Sequence, residues 1–80
     1  MAIREWTPMQ VGEFLAQIGP NYKSYQQTAV DNSLTGEILL SIVHEQSPEM
    51  MTCLFKDAGI TTGLHQRVIL NAVKKKNNVT

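Results

Sequence analysis

Twice in this chain a hydroxyl residue stands directly ahead of a proline, at Thr7-Pro8 and at Ser47-Pro48. A side-chain oxygen that accepts from a free backbone N–H, followed by a ring with no N–H to lose, is a helix-start signal. The matching stop signals are Gly19-Pro20 and Gly59, because glycine closes a helix end cheaply and proline cannot continue one. Asp31-Asn32-Ser33 adds turn chemistry and Thr35 a further cap. No apolar–polar alternation competes, and neither Asn-Gly nor Asp-Gly occurs to turn a hairpin. The punctuation therefore predicts an all-α chain, a compact bundle of five short helices.

The apolar spacing says which faces turn inward. Val11, Phe14, Leu15 and Ile18 recur at i, i+3, i+4 and i+7 on the first helix. Gln10, three residues after Thr7, completes a capping box, and Trp6 with Val11 occupies the positions of a hydrophobic staple. A second helix is expected from about Tyr22 to Val30, burying Tyr22, Tyr25 or Gln26, Ala29 and Val30. A third turns Ile38, Leu39, Ile42 and Val43 inward, and a fourth places Met50, Met51, Leu54, Phe55 and Ala58 on a helical period. The fifth starts near Thr62 and reaches Lys75 or Lys76. Ile69, Leu70, Ala72 and Val73 share its core side, Arg67, Asn71 and Lys74 face away, and Leu64 and Val68 lie along the flank. Residues 1–5 read as an N-terminal arm, 6–76 as the helical domain and 77–80 as a polar C-terminal tail.

Eighty residues make one domain with one modest core. An apolar share of 42% against 18% charged excludes a disordered segment. Cys53 is the only cysteine, so no internal disulfide and no paired-thiolate zinc site is possible. The expected setting is reducing and intracellular, cytoplasmic or nuclear. No stretch approaches the roughly 20 apolar residues of a membrane span, and the opening residues lack the apolar core of a secretory signal. His44 and His65 stand at no metal-binding spacing, with neither CxxC nor HExxH present, and no glycine-rich phosphate loop occurs. Cys53, beside Leu54-Phe55, reads as a small core residue, not as a nucleophile with a base and a cleft. No catalytic residue, metal ligand or cofactor is expected, and the chain reads as non-enzymatic.

The charges carry the functional expectation. Seven acidic residues balance seven basic ones, and every acid lies at or before Asp57, while Arg67, Lys74, Lys75 and Lys76 follow it. A neutral domain with opposite fields on separate surfaces suits copies or relatives of itself, joined head to tail. The acidic side would comprise Asp31, Glu37, Glu45, Glu49 and Asp57, though Glu37 and Glu49 also sit where they favour helix dipoles. The lysine run equally offsets the dipole at a helix C-terminus. Leu64 falls off the core face in the first turn of the last helix; it either tucks against the first helix or stands out as an apolar knob.

Several segments taken together resemble one family. Trp6, Val11, Phe14-Leu15 and Ile18-Gly19 are similar to the opening helix of a sterile alpha motif (SAM) domain. Leu34-Thr35-Gly36 followed by Leu39-Leu40 resembles its Ile-Asp-Gly-x-x-Leu-Leu segment, and Ala58-Gly59-Ile60-Thr61 its Leu-Gly-Ile-Thr turn. His65 followed by Ile69-Leu70-x-Ala72-Val73 is similar to its last-helix pattern. The chain departs where Thr35 replaces Asp, Leu64 replaces a common Gly and Gln66 a common Arg. The resemblance implies a helical interaction module whose partner is another SAM-like domain, its own copy or a relative, giving oligomers or polymers. It implies contact between an acidic middle surface and an end surface at the last helix, here Gly63, Leu64, His65, Arg67, Asn71 and Lys74. It also implies a capping or packing role for His65. RNA stem-loop binding is the family's alternative use and needs a basic cluster where the last helix begins. This chain has Gly63-Leu64-His65-Gln66 there, so nucleic acid ranks behind a protein partner.

Overall fold

The computed structural model describes residues 2–79, and side chains as far as Asn77. Met1 and Thr80, the outermost residues of the expected arm and tail, lie outside the described residues. Five α-helices follow in order: α1 Pro8–Ile18, α2 Tyr25–Asp31, α3 Gly36–Val43, α4 Pro48–Asp57 and α5 Gly63–Val79. Two 3-10 turns, Ile3–Glu5 and Pro20–Tyr22, precede α1 and α2, and no strand occurs among the described residues.

The cap signals act where the sequence puts them. Thr7 Oγ1 accepts from the Gln10 N–H at 3.3 Å while Gln10 Oε1 accepts from the Thr7 N–H at 2.9 Å, a complete capping box. Thr35 receives the Ile38 N–H at 3.2 Å and Ser47 the Met50 N–H at 3.3 Å. Each hydroxyl satisfies a first-turn donor that has no carbonyl partner inside its helix. Gly59 ends α4 at φ +89°, in the left-handed region that a side chain resists. That conformation turns the chain so that the Ile60 N–H returns to the Phe55 carbonyl at 2.9 Å.

The core is mostly aliphatic and draws on every helix. Leu15, Leu34, Leu39, Phe55, Ile60 and Ile69 are fully enclosed. Trp6 leans on Phe14 with ring centroids 5.2 Å apart and packs against the core without being fully covered.

Several inward assignments need correcting. Ile38 is 46% exposed and Met50 51% exposed, and Val30 also faces solvent while Tyr22 is half-buried; of Tyr25 and Gln26, Tyr25 is the buried one. In helices of seven to ten residues the buried stripe is narrow, so an apolar residue one position off it is left outside. The second helix starts at Tyr25, because Gly19-Pro20 leads into a 3-10 turn before the α-helix begins. Cys53 is exposed and not a core residue; Phe55, two positions on, takes the buried direction of α4.

The described residues near both ends are helical, a 3-10 turn at one and the last turns of α5 at the other. Ile3 is 5% exposed, and the first 3-10 turn lies across the start of α3. The Gly36 N–H donates to the Trp6 carbonyl at 2.9 Å. A Cβ on Gly36 would overlap the Ile3 carbonyl oxygen and lie 3.0 Å from Trp6 Cβ. Glycine is therefore required by the close approach of two backbones. At the other end α5 continues through Val79.

Candidate interaction surfaces around the last helix

The first turn of α5 carries Gly63, Leu64 and His65. Leu64 is 79% exposed, the most exposed large apolar residue among those described. Its neighbour His65 is held inward. The Tyr25 hydroxyl and His65 Nδ1 share a 2.6 Å hydrogen bond, and the Tyr22 ring lies 4.6 Å from the imidazole at a 48° tilt. The Tyr25 ring meets the same imidazole edge-on at 5.5 Å. His65 thus packs, ties the start of α5 to α2 and the second 3-10 turn, and holds Leu64 on a fixed support. Replacing Tyr25 by Phe removes only the hydroxyl. We expect a loss of about 1 kcal/mol, read as a fall of roughly 4–8 °C in a thermal melt; an unchanged melt would mean that ring packing alone holds the turn.

Gln66 lies on the inner side of α5 and is 8% exposed. Its Nε2 donates to the Ile60 carbonyl at 2.8 Å, satisfying the connection between α4 and α5. The apolar period of α5 does not mark it as inward, because it is polar. Its spacing does, because Gln66 precedes Ile69 by three positions and Val73 by seven, along the buried stripe.

The residues expected to form one end surface fall into two places. Gly63, Leu64 and Arg67 cluster within the first two turns, with Asn71 following on the exposed side. Lys74 is ten residues beyond Leu64, about 15 Å along the axis at ~1.5 Å per residue. It lines a different cleft, with Leu40, Val43, His44 and Val73. Lys76 lies in a third cleft with Trp6, Glu13 and Phe14. A shared helical face is therefore not a shared site. The first two turns of α5, where the RNA alternative needs a basic cluster, carry Arg67 alone.

The acidic candidates are also divided. Asp31 ends α2 and accepts from Gln27 Nε2 at 2.7 Å, while Asp57 ends α4. These two helix ends meet: a Cβ on Gly59 would lie 2.6 Å from Thr28 Cγ2 and 2.9 Å from Asn32 Nδ2. Glu45 and Glu49 flank the α3–α4 connection, where Glu45 Oε1 accepts from the Ser47 N–H at 3.2 Å. Glu37, in the first turn of α3, shares a cleft with Arg4, Leu40, Ser41 and His44. Asp31 and Asp57 therefore stand at the meeting ends of α2 and α4, with Lys56 adjacent in sequence.

Between α4 and α5 runs a groove of about 410 Å³. Met51, Phe55 and Leu70 line it from the core side, and Thr52, Gln66 and Arg67 from its walls. Among the described residues no group of three or more His, Cys, Asp or Glu could hold a metal ion, and no helix is long and apolar enough to cross a membrane.

Comparison with known families gives one match. A model described as the SAM domain (sterile alpha motif) covers residues 3–75. No curated protein and no solved structure gives a significant match.

Proposed function

The chain belongs to the SAM domain family, and from that premise we propose that it joins another SAM-like domain, its own copy first, through the start of α5. SAM domains generally act as non-enzymatic protein interaction modules, and typically self-associate or pair with one another. The observation that carries the finer reading is Leu64. A large apolar side chain held 79% exposed, on a turn fixed from beneath by Tyr22 and Tyr25, is an anchor awaiting a pocket. Gly63 offers no side chain to hinder approach, since nothing lies within 4 Å of where its Cβ would be. Arg67 supplies a cation beside it. The complement on the neighbouring molecule is the α2–α4 corner bearing Asp31 and Asp57, with the remaining middle-surface acids Glu37, Glu45 and Glu49 contributing longer-range attraction. Because the two surfaces differ, the contact is heterologous, and repetition gives an open chain unless the geometry closes a ring.

Sedimentation velocity over a range of concentrations tests this. The wild-type chain should sediment faster as it is concentrated, and less so at higher salt, since exposed charges are screened within about 8 Å at physiological ionic strength. Leu64→Asp should weaken association at least tenfold, the loss of about 2 kcal/mol of an apolar anchor, with helical content unchanged. Concentration dependence that survives Leu64→Asp would place the contact elsewhere on the domain.

A further inference from the structure

The groove between α4 and α5 is a second surface beside the Leu64 knob, with Gly63 and Arg67 at the edge common to both. On a 100° wheel Gly63, Gln66, Arg67 and Leu70 turn toward the groove, whereas Leu64 and Val68 point about a quarter-turn or more away. Its floor is apolar, from Phe55, Met51 and Leu70. Its polar groups are unevenly satisfied. Gln66 is more than nine-tenths buried, and its Nε2 is committed to the Ile60 carbonyl. Its Oε1 has no partner among the described residues. Every fully enclosed side-chain polar atom described does have one, so this oxygen reaches the surface, and the surface Gln66 lines is this groove. Arg67 stands at the rim, exposed and with no carboxylate paired to it among the described residues. The first turn of α5 contains no acidic residue either, so its free N–H groups add positive potential at the same end.

We propose that this groove binds an acidic peptide segment of another protein, seating one aromatic or leucine side chain on the half-buried Met51 and Leu70 and pairing an adjacent carboxylate with Arg67. A peptide N–H of the same segment donates to Gln66 Oε1. A volume of about 410 Å³ lies toward the small end of the roughly 300–1,000 Å³ typical of ligand pockets, room for one large side chain with its flanking backbone. Charge selects the occupant: an apolar floor with a cation and an acceptor at its edge fits an anionic, N–H-bearing partner better than a basic or wholly apolar one. This goes beyond the pairing through Leu64 and does not depend on it.

The test uses the full 80-residue chain, labelled with nitrogen-15 and titrated with two peptides, acetyl-Phe-Asp-Glu-amide and its neutral twin acetyl-Phe-Asn-Gln-amide. The acidic peptide should shift the amide signals of Thr52, Phe55, Gln66, Arg67 and Leu70, with an affinity three- to tenfold above that of the twin. Arg67→Gln should remove the difference between the two. Thr52→Trp, which fills the groove from its α4 wall, should abolish the shifts, while Leu64→Asp should leave them intact. Equal binding of both peptides, shifts confined to the Leu64 ridge or the lysine end, or no shifts at all would overturn the proposal. So would groove signals that move when the free Leu64→Asp variant is diluted, because the occupant would then be a second copy.

Discussion

Gly36→Ala should lower the melting temperature by roughly 15 °C, the equivalent of about 2–3 kcal/mol for a domain of this size. The added methyl group would overlap the Ile3 carbonyl oxygen, and the Ile3 carbonyl carbon would lie only 2.8 Å away. Both are backbone atoms with no rotamer to escape into. The first 3-10 turn must lift, which breaks the 2.9 Å bond from the Gly36 N–H to the Trp6 carbonyl and uncovers Ile3. Gly63→Ala is the internal control. It reduces the unfolded chain's freedom by the same amount, yet its Cβ meets nothing within 4 Å, so its melt should change by only a few degrees. Equal and small shifts for both variants would show that the first turn is not clamped on α3.

Phe55→Ala should be the more damaging substitution, costing about 3–5 kcal/mol. A domain of this length has on the order of 4–12 kcal/mol to lose, so the variant should be partly unfolded at physiological temperature. Phe55 is almost wholly enclosed and is the one α4 side chain buried within the helix proper. Its own carbonyl accepts from Ile60, whose carbonyl is in turn held by Gln66. The ring thus anchors α4 at the point where the chain turns toward α5. Urea denaturation is the check, with a lower midpoint and an unchanged slope expected. A midpoint within error of the wild type would mean that α4 packs loosely and that the groove floor is not a fixed surface.

Those two substitutions separate what the sequence displays from what it hides. Thr7, Thr35 and Ser47 could be read as caps because each acts on an N–H three residues away, and local chemistry needs no knowledge of the fold. Val11, Leu15, Ile69 and Val73 were legible for the same reason, since periodicity reports a face directly. Ile38 and Met50 misled because hydropathy says that a residue prefers burial, not that a neighbour is there to bury it. Gln66 lies inside although polar, and Leu64, which the wheel placed off the core face as either a tuck or a knob, stands outside. What decides both is tertiary: the Ile60 carbonyl needs a donor, and no helix packs over Leu64. The overlap at Gly36 depends on a carbonyl more than thirty residues earlier, and no spacing rule reaches that far.

The charge argument was the least transferable. That no acid follows Asp57 is true of the sequence, yet Arg4 shares a cleft with Glu37, and Lys76 shares another with Glu13. Arg67 and Lys74 lie on the same exposed side of α5 but two turns apart, and at about 8 Å screening length each acts locally. In the contact proposed above, the short-range electrostatic part would therefore fall on Arg67 on one side and the Asp31–Asp57 corner on the other.

The clamp of the first turn on α3 also bears on how the chain reaches its final form. Trp6 and Gly36 close a loop of thirty residues that encloses α1 and α2, and joining ends so far apart costs about 3 kcal/mol of chain entropy. During synthesis the opening residues leave the ribosome first, yet their seat exists only after Gly36 has emerged. The domain thus carries an early distant stitch as well as the later one from Tyr25 to His65, and such stitches set the pace at which small helical proteins mature.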